Sequence, residues 1–117
     1  MKGFGNQIRL LRDELAKDSK EFSVRKVAAK IEVEPAYLSK VEREVVPPPS
    51  ETKIIALAKV LGTDEDVLLA LAGKVSSDLL RIIRDRPKLF AELIRKLKEE
   101  PDHAVLRIVR EVKDGEW

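Results

Sequence analysis

The sequence predicts an all-α protein, and three observations support this fold class. Glycine and aromatic residues are rare, at five glycines and 4% aromatics in 117 residues. Leu, Ala, Lys, Arg and Glu, which favour helices over strands, are abundant. Apolar residues also recur at helical spacing in eight segments, which are separated by proline, glycine or helix-capping residues.

Composition limits the classes of function. The chain has 23 Lys and Arg and 21 Asp and Glu, a net charge of +2, which indicates solvated helix faces and not a polybasic tail. Without cysteine and with one histidine, it has no disulfide, no thiol nucleophile and no multi-histidine metal site within one chain. No catalytic triad or phosphate-binding glycine loop is present, so we expect neither an enzyme nor a cofactor.

Two further features of the sequence bear on the cellular location of the protein. No run approaches the roughly 18 apolar residues of a membrane span. The N-terminal residues lack the apolar segment of a signal peptide. We therefore expect a cytoplasmic protein that does not associate with a membrane.

The first part of the chain predicts five helices. The first should bury Ile8, Leu11 and Leu15 and leave Arg9 and Arg12 outward. The predicted helices span residues 5–17, 24–31, 35–44, 51–61 and 64–71, with a polar loop at 18–21.

Local signals mark the ends of these helices. Ser23 and Ser50 are suitable N-caps, and the prolines at 47–49 exclude a helix interior. Gly62 is a typical stop, and Thr63 with Asp66 resembles a capping box.

The helices predicted at 24–31 and 35–44 are joined by a short turn, which is a helix-turn-helix arrangement. Leu38 and Val41 should face inward, and small or polar residues cover the rest of the second helix. Such a helix can enter a DNA major groove about 12 Å wide, where small and hydrogen-bonding side chains are needed.

Five stretches of the chain, in their order and spacing, resemble the lambda-repressor-like (XRE) helix-turn-helix family. They are residues 22–28, Val33, 35–43, 49–50 and 57–62. The resemblance covers about residues 4–74 and implies a five-helix domain that binds double-stranded DNA. Members of this family are commonly dimeric and include repressors, restriction–modification controllers and antitoxins.

The resemblance also implies site residues. The third helix would read bases through Ala36, Tyr37, Ser39 and Lys40. Phosphates would be contacted at Ser23, Arg25, Arg43 and Ser50. Glu42 is expected to be structural and to pair with an arginine or with backbone donors.

The sequence departs from the family at three positions. Glu32 and Glu44 stand where family members often have glycine, and Glu34 stands where the helix cap is often Ser or Thr. A left-handed conformation costs a glutamate about 1 kcal/mol or more.

Charge is unevenly distributed over the first part of the chain. Residues 1–43 contain ten Lys and Arg against seven Asp and Glu, whereas residues 44–74 contain three against five. The excess of positive charge therefore lies in residues 1–43, which contain the helices expected to face DNA, but this excess is small. A monomer should therefore bind weakly, and strong binding should require two half-sites.

The remaining residues predict three amphipathic helices, at 78–85, 87–99 and 101–113. We accordingly divide the chain into a DNA-binding domain at 1–74 and a C-terminal extension at 75–117. Three helices are too few for a core of comfortable size, so they should pack on the first domain or on a second chain. Palindromic operators are read by two-fold dimers, which favours the second chain. The apolar stripe comprises Phe90, Leu93, Ile94, Leu97, Val105, Ile108, Val109 and Val112.

Two functional hypotheses follow from the resemblance. The first is a dimeric transcriptional repressor that reads a palindromic operator with the helix at 35–44 in the major groove. The alternative is an antitoxin-type protein, whose C-terminal helices bind a partner protein while the N-terminal domain regulates its own operon.

Overall fold

A computed structural model describes residues 3–116, which are helical and contain no strand. The prediction of an all-α fold is confirmed. The helices are α1 Phe4–Ala16, α2 Val24–Lys30, α3 Pro35–Glu42, α4 Glu51–Leu61, α5 Glu65–Leu71, α6 Ser77–Asp85, α7 Pro87–Leu97 and α8 Asp102–Asp114.

The ends of the predicted helices lie within two residues of those observed. The third helix ends at Glu42 and not at Glu44, because Glu44 is left-handed. The loop predicted at 18–21 is partly a 3₁₀ turn, Lys20–Phe22, in which the Ser19 hydroxyl accepts a 3.2 Å hydrogen bond from the Glu21 amide.

The chain divides into two compact units, the first ending at Ser76 and the second beginning at Ser77. The first unit has an apolar core to which each of its five α-helices contributes. The buried core residues are Phe4, Ile8, Val27, Ala28, Ile31, Leu38, Val41, Ile54, Leu57, Ala58, Leu61, Leu68 and Leu69.

A buried ion pair joins α1 to α3. The Arg12 Nε and Nη2 atoms donate to the two Glu42 carboxylate oxygens at 2.6 and 2.8 Å, and the two residues are only 7% and 4% exposed. The third nitrogen, Nη1, donates to the Phe22 carbonyl at 3.1 Å. The hydrogen bond with Glu42 is the main cause that raises the pKa of Arg12 above its ordinary value, against the opposing effect of burial.

The predicted orientation of the first helix is therefore wrong in part. Arg12 points inward, while Leu11 is 36% exposed. Arg12 follows Ile8 by four residues and so lies on the same helix face, whereas Leu11 is rotated by about 100° from Arg12. The expectation that Glu42 pairs with a nearby arginine is confirmed.

Helices α2 to α5 end in the same backbone motif. After each helix one residue is left-handed: Glu32 (φ 59°), Glu44 (φ 61°), Gly62 (φ 68°) and Gly73 (φ 75°). The next amide then bonds back across the last turn, as Val33 does to the Ala28 carbonyl and Val45 to the Lys40 carbonyl, both at 3.0 Å. This is the Schellman motif, in which glycine avoids the steric cost of a Cβ atom.

The N-termini of α2, α4 and α5 carry side-chain caps. The Ser23 and Ser50 hydroxyls accept hydrogen bonds from the amides of the third helical residues, as predicted. The predicted Thr63 capping box is wrong, because the Asp64 carboxylate caps α5 by accepting from the amides of Asp66 and Val67. Glu34 makes no side-chain cap at α3.

A close approach between backbones fixes the start of α1 against the end of α3. A Cβ atom on Gly5 would overlap the carbonyl oxygen of Val41 and would lie 2.9 Å from that of Glu42. Glycine is therefore required at this position for the two helices to pack.

The second unit is amphipathic but has no buried residue among 77–116. Large apolar side chains on α6, α7 and α8 remain exposed, with Leu89 at 64%, Ile94 at 56% and Val109 at 55%. Their apolar faces therefore remain largely in contact with solvent in the isolated chain.

Removing one member of the buried ion pair should destabilise the first unit. We expect Arg12→Met to lower the free energy of unfolding by about 3–5 kcal/mol, because Glu42 is left buried without its partner. Arg12→Met combined with Glu42→Met should recover much of this loss. Chemical denaturation followed by circular dichroism measures both, and an unchanged Arg12→Met variant would contradict the structural role of the pair.

The left-handed glutamates allow a second test. Glu32→Gly should raise the free energy of unfolding by up to about 1 kcal/mol, since glycine adopts this conformation without strain. Glu32→Ala is the matched control, because it removes the carboxylate and keeps the Cβ atom. Equal stabilisation by both substitutions in thermal denaturation would show that charge, and not backbone conformation, is responsible.

Candidate nucleic-acid interface

The α2–α3 pair presents one face of α3 to solvent. The pair is anchored in the core by Val27 and Ala28 of α2 and by Leu38 and Val41 of α3, all 1% exposed or less. The turn between the helices follows from the Schellman motif at Glu32. The outer side of α3 is thus held on a rigid support.

The four residues predicted to contact bases differ in exposure. Ala36 and Lys40 are exposed on α3, whereas Tyr37 and Ser39 are half-buried. Tyr37 packs against the apolar core, so part of its ring serves the fold. The more exposed residues of this set are therefore Ala36 and Lys40.

Besides Lys30, which is ion-paired, four exposed cations lie on or directly after the helices of this pair. Arg25 and Lys26 are in the first turn of α2, and Lys40 and Arg43 are at the end of α3. None of the four forms an ion pair with any residue in the range 3–116. Their charges are consequently available to an external anion.

Other cations of the same unit are paired within the fold. Lys17 Nζ lies 2.9 Å from a Glu14 carboxylate oxygen, and Lys30 Nζ lies 3.4 Å from one of Glu21. The Lys30 ammonium also stands 5.4 Å from the centre of the Phe22 ring. These contacts neutralise part of the positive charge that does not lie on the outer side of α3.

An open cleft of about 190 Å³ connects three helices at this surface. It is lined by Arg9 of α1, Val24 at the start of α2, Ser39 of α3, and Arg43 directly after α3. The buried pair of Arg12 with Glu42 completes the lining. The fold thus brings two of the predicted contact residues, Ser39 and Arg43, together with Arg9, which sequence reasoning had placed only on the outward side of its helix.

The two predicted serine contacts lie at helix N-termini. The Ser23 hydroxyl is exposed and directly precedes the cleft residue Val24. Ser50 is exposed at the start of α4 and does not line the cleft. Each hydroxyl oxygen already accepts a backbone hydrogen bond and keeps its proton as a donor.

Residues 4–71 match the protein family described as a helix-turn-helix domain, and this match covers more than half of the chain. The chain belongs to the helix-turn-helix domain family. Membership indicates a DNA-binding regulator, and DNA-binding families of this kind are typically non-enzymatic. Neither the curated proteins nor the solved structures that were compared with the chain gave a match.

Within residues 3–116, no three His, Cys, Asp or Glu side chains are grouped so as to hold a metal ion. No helix over the same residues has the length and apolar character needed to cross a membrane.

The predicted interface residues of the second unit lie on α7 and α8. Phe90, Leu97 and Val105 are half-buried, and the other five are exposed: Leu93, Ile94, Ile108, Val109 and Val112. A groove of about 600 Å³ runs between the two helices. Its apolar lining is formed by Leu93, Leu97, Ala104 and Ile108, and charged side chains such as Lys96 and Glu100 flank it.

Proposed function

We propose that the protein is a sequence-specific transcriptional repressor of the lambda-repressor-like (XRE) type, which acts in the cytoplasm by occupying a promoter. The observation that carries this proposal is the outer side of α3, where Lys40 and Arg43 are exposed and form no ion pair within residues 3–116. A helix so presented can enter the major groove while cations around it meet phosphates.

Each residue has a distinct part in this proposal. Lys40 donates to the O6 and N7 atoms of a guanine, the Ser39 hydroxyl meets a base edge, and Ala36 and Tyr37 contact a thymine methyl group. Phosphate contacts are assigned to Ser23, Arg25, Arg43 and Ser50. The Schellman motif at Glu32 supports the assignment, because it sets the angle at which α3 leaves α2.

We further propose that the protein is a homodimer that reads a palindromic operator. Two copies of α3 would then occupy successive major grooves, about 34 Å apart. Exposed apolar side chains on α7 and α8 support self-association, because a second copy would remove them from water. The charges support self-association as well. Residues 77–117 contain ten Lys and Arg and nine Asp and Glu, so two copies of this segment would not repel each other through net charge.

The groove between α7 and α8 favours a second candidate function. Its apolar floor and charged rim would also suit an amphipathic segment of another protein. In that case the chain is an antitoxin-type protein that regulates its own operon. Co-expression with the product of an adjacent gene distinguishes the two, because a stable heteromer supports the antitoxin function and an unchanged homodimer supports the repressor.

Base reading by Lys40 is tested on a duplex selected from random DNA by the full-length protein. We expect Lys40→Ala to lose about 1–3 kcal/mol of binding free energy at one guanine and to relax specificity there. Arg25→Gln should weaken all sequences alike, as loss of a phosphate contact requires.

Lys59→Ala, which removes an exposed cation from α4, is the control and should bind normally. If the unaltered protein binds no duplex in a salt-dependent manner, the DNA-binding proposal fails. If Lys40→Ala leaves specificity unchanged while Arg25→Gln weakens binding, only the base assignment fails.

The dimer is tested by replacing apolar residues of the second unit in the full chain. Leu93→Gln with Val109→Gln should shift the protein to monomer and weaken operator binding at least tenfold, since each half-site alone offers few contacts. Arg110→Gln, at the neighbouring position on α8, should leave the dimer intact. Light scattering coupled to size exclusion measures the assembly, and a dimer that persists in the double variant would contradict this interface.

A further inference from the structure

The cleft beside α3 has a composition suited to an anion. Arg9 of α1 and Arg43, the residue that follows α3, both line it, and both residues are exposed. Ser39 of α3 also lines the cleft and contributes a hydroxyl group. Two guanidinium groups and a hydroxyl thus share one open cleft that three helices surround.

We propose that this cleft binds one phosphodiester group of the DNA backbone, held by Arg9 and Arg43 together. The inference rests on the proposed DNA-binding function and adds Arg9 to its contacts. A guanidinium presents a planar set of N–H donors that matches two phosphate oxygens, so two such groups can grip one phosphate from two sides.

The charges of the neighbouring residues agree with this assignment. The Glu42 carboxylate also lines the cleft, but Arg12 neutralises it through two hydrogen bonds. Asp13 is the other acidic group nearby, 3.7 Å from Arg9 Nε and 3.4 Å from Arg12 Nη2. Its pair with Arg9 is exposed and therefore weak, so a phosphate can replace it as the partner of Arg9.

The position of Arg9 gives the contact a consequence for recognition. Arg9 lies on the helix that Arg12 ties to α3 through Glu42. A phosphate held from both α1 and α3 therefore fixes the position of α3 along the groove, as phosphate contacts do in general. By holding this phosphate, the cleft would determine which base pair along the groove Lys40 contacts.

The test uses the full-length protein and the duplex selected for it, with Kd measured over a range of salt concentrations. Arg9→Gln and Arg43→Gln should each weaken binding about tenfold on every sequence, without a change in specificity. Because the proposed dimer has one such cleft in each subunit, the double variant should lower the slope of log K against log salt by about 1.8, the value for one phosphate per subunit, and not by twice that amount.

Two further variants sharpen the result. Asp13→Asn should bind DNA several-fold more tightly, because the carboxylate no longer competes for Arg9. Lys17→Gln removes an exposed cation that directly follows α1 and lies outside the cleft, and it should bind normally. A neutral methylphosphonate at the contacted phosphate should make the unaltered protein and Arg9→Gln bind equally. Thermal denaturation of each variant establishes that its fold is retained.

The outcomes separate the two proposals. If Arg9→Gln binds normally while Arg25→Gln and Lys40→Ala are impaired, the phosphate site is overturned and the DNA-binding function stands. A slope reduced by about 3.6 in the double variant assigns two separate phosphates to each subunit and also overturns the shared site. If the unaltered protein binds no DNA, the proposed function fails and this inference fails with it.

Discussion

The buried pair of Arg12 with Glu42 is the interaction on which the arrangement of the first unit depends. One guanidinium joins α1, the carbonyl of Phe22 in the 3₁₀ turn and the last residue of α3. Taking both charges out of water is unfavourable, so the pair persists because every Arg12 nitrogen has an acceptor and both Glu42 oxygens have a donor. The hydrogen bond with Glu42 raises the pKa of Arg12 above its ordinary value, and an arginine already keeps its proton at physiological pH without such a shift.

Left-handed residues on both sides of α3 complete this arrangement. Glu32 precedes the helix and Glu44 follows it, and each closes a Schellman motif on the preceding helix. The chain therefore reverses sharply at both ends of an eight-residue helix, which gives α3 little freedom to shift along its axis. The steric cost of two glutamates in this conformation is borne by a core that fixes the neighbouring residues Ile31 and Val41.

The helices of both units are amphipathic, but only those of the first unit bury their apolar faces. In the first unit the apolar stripes of five helices meet and exclude water, as at Leu57 and Leu68. In the second unit equally clear stripes find no enclosed interior among residues 77–116. Periodicity reports which face of a helix is apolar, but it does not report which surface covers that face.

Helix positions and the inward residues of α2 to α4 were predictable from the amino-acid sequence, because spacing, proline and serine caps act within a few residues of the chain. The resemblance of short segments to a known family also pointed to Glu32 and Glu44 as unusual positions. The inward orientation of Arg12 was not predictable from its own helix, because its partner lies 30 residues away. For the same reason the meeting of Arg9 with Ser39 and Arg43 in one cleft emerged only when α1 and α3 were packed together, since charge at a surface depends on distances through space and not along the chain.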